Sequence, residues 1–170
     1  MRGNDQLDRE VVVEIKEHHV YEGSFDDFRK HYLDPNKIVS KYEALGSRKV
    51  CVEPKEARGE CEIVISREVT ADVPRILAKF FKPWNRVTQT ETWTDSSDRL
   101  TGRIKVSIES VPVAVSSQIV LTRRQNSCVQ DIETKVESNI PLIGSKLAAF
   151  VAENTRKYIL DERAYMKELL

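Results

Sequence analysis

The chain has 170 residues, with 27 lysines plus arginines against 27 aspartates plus glutamates, so its formal net charge at pH 7 is zero. That balance argues against a general nucleic-acid coat or a polybasic membrane binder, both of which carry a basic excess. Hydrophobic residues at 40% and charged residues at 32% are enough to bury a core and too apolar for a disordered chain, and the length suits one domain.

Residues 1–10 contain no apolar stretch of the kind a cleaved signal peptide requires. Residues 1–9 are expected to be a flexible tail and the protein to be cytoplasmic. No run approaches the roughly 18 apolar residues of a spanning helix. Cys51, Cys61 and Cys128 are odd in number and form no CxxC pair. The expectation is reduced thiols rather than a zinc site or a disulfide framework.

In chain order, Val11, Val13, Ile15, Glu17, His19 and Tyr21 alternate with Val12, Glu14, Lys16, His18 and Val20, which predicts a strand. Gly23-Ser24 ends it. Ser24 is a helix N-cap with Asp27 three residues on, and Phe25, Phe28 and Tyr32 follow at helical spacing over 25–33. Asp34-Pro35 starts a second short helix, about 35–45, with Ile38, Val39, Tyr42 and Leu45 on one side and Gly46 at its end.

Strands then dominate. Val50 and Val52 open one, with a turn expected over Pro54–Gly59, and the next carries Cys61, Ile63, Ile65, Arg67 and Val69 on one face. Segment 71–85, with Ile76, Leu77, Phe80, Phe81 and Trp84, is too long for a hairpin turn and reads as a short helix or flap. Further strands place together Val87, Gln89, Glu91 and Trp93; then Ile104, Val106 and Ile108; then Val113, Val115, Ser117, Ile119 and Leu121; then Cys128, Gln130, Ile132, Thr134 and Val136. Their short connections favour antiparallel neighbours. From about 141 to 169 the period becomes helical, with an expected stripe of Ile143, Leu147, Phe150, Val151, Tyr158, Tyr165 and Leu169. The fold class is α+β: a curved antiparallel sheet of about seven strands, two short helices after strand 1, and a long C-terminal helix.

This order resembles the START-like helix-grip superfamily of lipid-transfer domains, pollen-allergen-like proteins and polyketide cyclases, and covers the chain from about residue 10 to 169. Ile65-Ser66-Arg67-Glu68-Val69, Asn85-Arg86-Val87 through Glu91-Thr92-Trp93, and Ile140-Pro141-Leu142-Ile143-Gly144 are similar to an uncharacterised bacterial branch of that superfamily. The resemblance implies one helix-grip domain over residues 1–170, with a hydrophobic cavity between sheet and helix. It implies no activity.

A curved sheet under a helix buries one face, so strand parity names the inward residues. Ile15, Ile65, Ile104, Val106, Ile119 and Ile132 are expected to supply apolar walls, and Leu147, Phe150, Val151 and Tyr158 to close them from the helix. On the same faces lie Glu17, His19, Arg67, Gln89, Glu91, Gln130 and Thr134, which would be costly in a dry core and tolerable beside water or a ligand head. The expected partner is a small hydrophobic or amphipathic molecule, lipid-like or polycyclic.

Two alternatives stay open. His19, Arg67 and Glu91 could converge as the acid–base and oxyanion groups of a cyclase or dehydratase. The 73–85 flap or a sheet edge could instead serve protein interaction. Phe80, Phe81 and Trp84 are candidates for a gate or a tip that touches a membrane transiently. No metal site is expected, because His18 and His19 point to opposite faces and His31 has no helical partner histidine. No nucleotide, serine-hydrolase or zinc-protease motif occurs, so no cofactor and no nucleic acid are expected.

Overall fold

The computed structural model describes residues 10–170; the tail expected over residues 1–9 lies outside them. Seven strands form a single antiparallel sheet: β1 (Val11–Glu22), β2 (Arg48–Ala57), β3 (Glu60–Val69), β4 (Asn85–Asp95), β5 (Arg99–Ile108), β6 (Ala114–Arg123) and β7 (Ser127–Ser138). Helices α1 (Phe25–Leu33) and α2 (Pro35–Ala44) lie between β1 and β2, and α3 (Gly144–Leu169) closes the chain. The sheet order is β1-β7-β6-β5-β4-β3-β2, so the first strand returns to pair with the last. The architecture is the α+β helix grip.

Local chemistry sets the helix boundaries. Ser24 Oγ accepts a hydrogen bond from the Asp27 amide at 3.4 Å, and the Asp34 carboxylate accepts from the Asn36 and Lys37 amides at 2.9 and 3.4 Å. These bonds satisfy amides that the first turn leaves free. Gly46 follows α2 with φ of +91°, the left-handed geometry of a helix stop.

Two details differ from the sequence reading. Pro54–Gly59 is not a turn: β2 continues to Ala57, and the chain reverses over Arg58-Gly59 alone, with φ of 45° and 81°. That is the two-residue hairpin whose twist matches its strands. Pro54 is tolerated inside β2 because β2 is an edge strand. The buried face of α3 runs through Leu147, Ala148, Val151, Ala152, Ile159, Glu162 and Met166, while Leu169 is exposed. A charged residue occupies the stripe, and the apolar side chain at the end falls off it.

The core divides into two apolar clusters. One gathers Tyr21, Phe25, Phe28, Tyr32, Ile38 and Tyr42 with Ile63, Ile65, Trp93 and Leu121. The other gathers Ile15, Val115, Ile132 and Val136 beneath Leu147, Ala148, Val151 and Ile159, with Leu77 from the 3-10 turn Arg75–Phe80. α3 packs on β1 and β7, α1 on β6 and β7, and α2 on β2. Partly buried Val106 and Ile119 touch both clusters.

Candidate functional site

A cavity of about 370 Å³ opens between the sheet and α3. Its walls differ by side. β5, β6 and β7 contribute Ile104, Val106, Val115, Ile119 and Ile132, with the Ser117 and Thr134 hydroxyls hydrogen-bonded to each other at 2.7 Å. β3 and β4 contribute Arg67, Val87, Gln89 and Glu91; α2 contributes Lys41 and Tyr42; α3 contributes Phe150, Val151, Tyr158 and Glu162.

The polar side is one connected network. Arg67 Nη1 donates to Gln89 Oε1 at 3.1 Å, and Gln89 Nε2 donates to Tyr42 Oη at 2.9 Å and to the Glu91 carboxylate. Trp93 Nε1 donates to the other Glu91 oxygen at 2.8 Å. The Arg67 guanidinium stacks on the Tyr42 ring at 4.2 Å and lies 5.8 Å from the Tyr158 ring, and those two rings are themselves stacked. Lys41 Nζ donates to Glu162 Oε1 at 2.6 Å and sits over the Tyr32 ring at 4.5 Å. Burial pushes the Glu91 carboxyl above its ordinary range, against the pull of Lys41, Trp93 and Gln89. Burial opposes the Lys41 ammonium, yet Glu162 and its other neighbours hold its pKa above the ordinary value. Burial also raises the Tyr42 and Tyr158 phenols, so both keep their protons at neutral pH.

Of the residues singled out by strand and helix parity, the structure brings Arg67, Gln89, Glu91, Ile104, Val106, Ile119, Ile132, Thr134, Phe150, Val151 and Tyr158 to this cavity, and Phe81 from the flap. It places others elsewhere. Ile65 belongs to the first apolar cluster, and Ile15 and Leu147 to the second. Phe80 packs on the second cluster, and Trp84 lies under the Arg48 guanidinium at 3.8 Å. Glu17, His19 and Gln130 share the inward face but do not line the cavity, and Gln130 bonds Tyr32 of α1. His19 Nδ1 is 3.1 Å from Gln130 Oε1, Tyr21 Oη donates to that same oxygen, and Gln130 Nε2 donates to Tyr32 Oη at 2.6 Å. Glu17 Oε2 stands 3.5 Å from His19 Nε2. Arg67 and Glu91 line the cavity, and His19 is not among the residues that do.

Lys41, Tyr42, Tyr32 and Glu162 were not singled out as site residues from sequence. The signal was present for two of them. Lys41 shares a helical face with Ile38, Tyr42 and Leu45, and Glu162 sits between Ile159 and Met166 on the buried stripe. A charge on an apolar helical face is costly unless paired, so two such charges on different helices imply each other.

The order and pairing of these elements define a helix-grip α+β fold. By sequence the protein belongs to the family described as protein of unknown function (DUF2505), whose model matches residues 16–170. No curated protein matches the chain in sequence at a significant level. Similar solved structures include an uncharacterised protein from Rhizobium leguminosarum (8% identity, TM-score 0.57, covering 95% of this chain and 98% of that one). Norcoclaurine synthase from Thalictrum flavum, in complex with dopamine and hydroxybenzaldehyde, is similar at 14% identity and TM-score 0.55 over 94% of this chain and 87% of that one. Dicamba monooxygenase bound to 3,6-dichlorosalicylic acid is similar at 12% identity and TM-score 0.58, over 93% of this chain and 49% of the longer enzyme. At these identities the likeness is one of fold.

Proposed function

We propose that the protein binds a small, mainly apolar molecule, lipid-like or polycyclic, in the cavity between sheet and α3, and carries or sequesters it. The observation that supports this reading best is the cavity itself. Its 370 Å³ falls within the roughly 300–1,000 Å³ of small-molecule sites. It has an aliphatic wall on β5–β7 and a hydrogen-bonding network on the other side, the composition of sites that bury a ligand body and orient its polar group. Two proteins of similar fold were solved with small aromatic molecules, which agrees with the reading.

Binding is favoured over acid–base chemistry built on His19, whose ring is engaged with Gln130 away from the cavity. It is also favoured over protein interaction through the flap, where Leu77 is buried and Phe81 packs edge-on against Phe150. Native mass spectrometry on protein purified without detergent, followed by organic extraction, should reveal a co-purifying small molecule. Stripped protein should bind one equivalent of anilinonaphthalene sulfonate saturably. An empty spectrum together with no saturable dye binding would overturn the proposal.

A further inference from the structure

The cations on the cavity wall are not equally provided for. Lys41 is matched by Glu162 at 2.6 Å and Lys157 by Asp161 at 3.0 Å. Arg67 is different. It is only 7% exposed, its side-chain acceptor is the neutral Gln89 amide, and its Nε is buried without a hydrogen-bond partner. A guanidinium presents five donors in a rigid fork suited to a carboxylate. Leaving such a donor unsatisfied in a buried position is costly.

A second donor shares this situation. Tyr158, from α3, has its hydroxyl buried without a hydrogen-bond partner, and its ring lies 5.8 Å from the Arg67 guanidinium. Both residues line the cavity. Glu91, the acid that shares Gln89 with Arg67, is occupied by Gln89 and Trp93. Burial favours its protonated form. The cavity thus joins an aliphatic wall to a cation with no acid bonded to it and a buried Nε without a partner, and to a phenol without a hydrogen-bond partner.

We infer that the ligand is a small organic acid, its carboxylate held by Arg67 and Tyr158 and its apolar body laid against Ile104, Val106 and Ile119. This rests on the reading that the cavity binds a small molecule, and adds the chemical class. The donors need an acceptor bearing charge, and a carboxylate meets the guanidinium fork with two oxygens.

Calorimetric titration of the full chain with matched pairs tests it: 1-naphthylacetate against 1-naphthylacetamide, and decanoate against decanamide, at about pH 7, where the acids are ionised. The acids should bind roughly tenfold or more tightly than their amides, as expected for a charge-assisted pair. Arg67→Gln should abolish the preference and Tyr158→Phe should reduce it. Equal or tighter binding of the amides by the unaltered protein overturns this inference while leaving small-molecule binding intact. Persistence of the preference in both variants overturns the assignment to Arg67 and Tyr158. Failure of all four probes to bind counts against both readings. If Arg67→Gln does not fold, the acid–amide comparison and Tyr158→Phe still decide.

Discussion

Lys41 Nζ lies 2.6 Å from Glu162 Oε1 and joins α2 to α3 at the cavity wall, with both residues buried. Each charge is tolerated there only because the other is present. Removing one partner of a buried ion pair costs about 3–5 kcal/mol, whereas replacing both by apolar groups is often nearly neutral. Lys41→Met alone and Glu162→Leu alone should therefore each destabilise strongly in urea unfolding, and the double variant should recover most of the loss. Additive losses in the double variant would show that the two residues act independently.

Glu91 supplies a pH dependence with a definite sign. Burial raises its carboxyl pKa in the folded protein from an ordinary value of 4.5. The folded state therefore holds the proton more tightly than the unfolded chain. This contribution to stability is full below about pH 4.5 and is lost as pH rises through the folded value. Glu91→Gln cannot titrate. The stability of Glu91→Gln relative to the unaltered protein should thus rise from about pH 4 upward and level off above the folded pKa. The hydrogen bond lost at Gln89 or Trp93 adds an offset, so the slope is the readout. A flat difference would mean that Glu91 titrates as an exposed carboxylate.

These two sites show what strand parity can and cannot convey. Alternation over 61–69, 87–93 and 128–136 named Arg67, Gln89, Glu91 and Thr134 as inward, and the cavity lies where they point. The same parity named Glu17, His19 and Gln130, yet these do not line the cavity, and Gln130 is taken up by His19, Tyr21 and Tyr32. Period two reports a face, not what lies above it. Lys41 and Glu162 were harder to find because a helical stripe is recognised by its apolar members, and a paired charge interrupts that pattern.

Trp93 and Gly102 face each other across β4 and β5, and the indole ring lies where a Cβ on Gly102 would stand. The glycine is needed for this close approach, and through it the ring is held where its N–H reaches Glu91. Gly102→Ala should cost about 1–3 kcal/mol by overpacking and shift Trp93 fluorescence. An unchanged spectrum and unchanged stability would show that the ring has room to move.

The thiols should label in order of access. Cys51 is exposed and Cys61 half-buried; Cys128 is buried, with its thiol pushed up to about 11 by burial. Only thiolates react rapidly. In the folded protein Cys51 should modify first with an aromatic disulfide reagent, Cys61 more slowly, and Cys128 only on unfolding. Rapid loss of all three thiols would contradict the burial of β7.

Ile119 and Leu121 lie on the same face of β6, and the cavity separates their fates. Ile119 lines the cavity, while Leu121 is fully buried in the first apolar cluster. Enlarging a side chain in a close-packed region costs about 1–3 kcal/mol, because neighbours must leave their rotamers. Enlarging one beside open space meets no such resistance and gains apolar contact. Ile119→Phe should therefore stay within about 1 kcal/mol of the unaltered protein while weakening the binding of anilinonaphthalene sulfonate. Leu121→Phe should lose stability and keep dye binding wherever it still folds. Equal destabilisation by both substitutions would mean that β6 is packed as tightly at Ile119 as at Leu121, and the space assigned to a ligand would be filled by the protein itself.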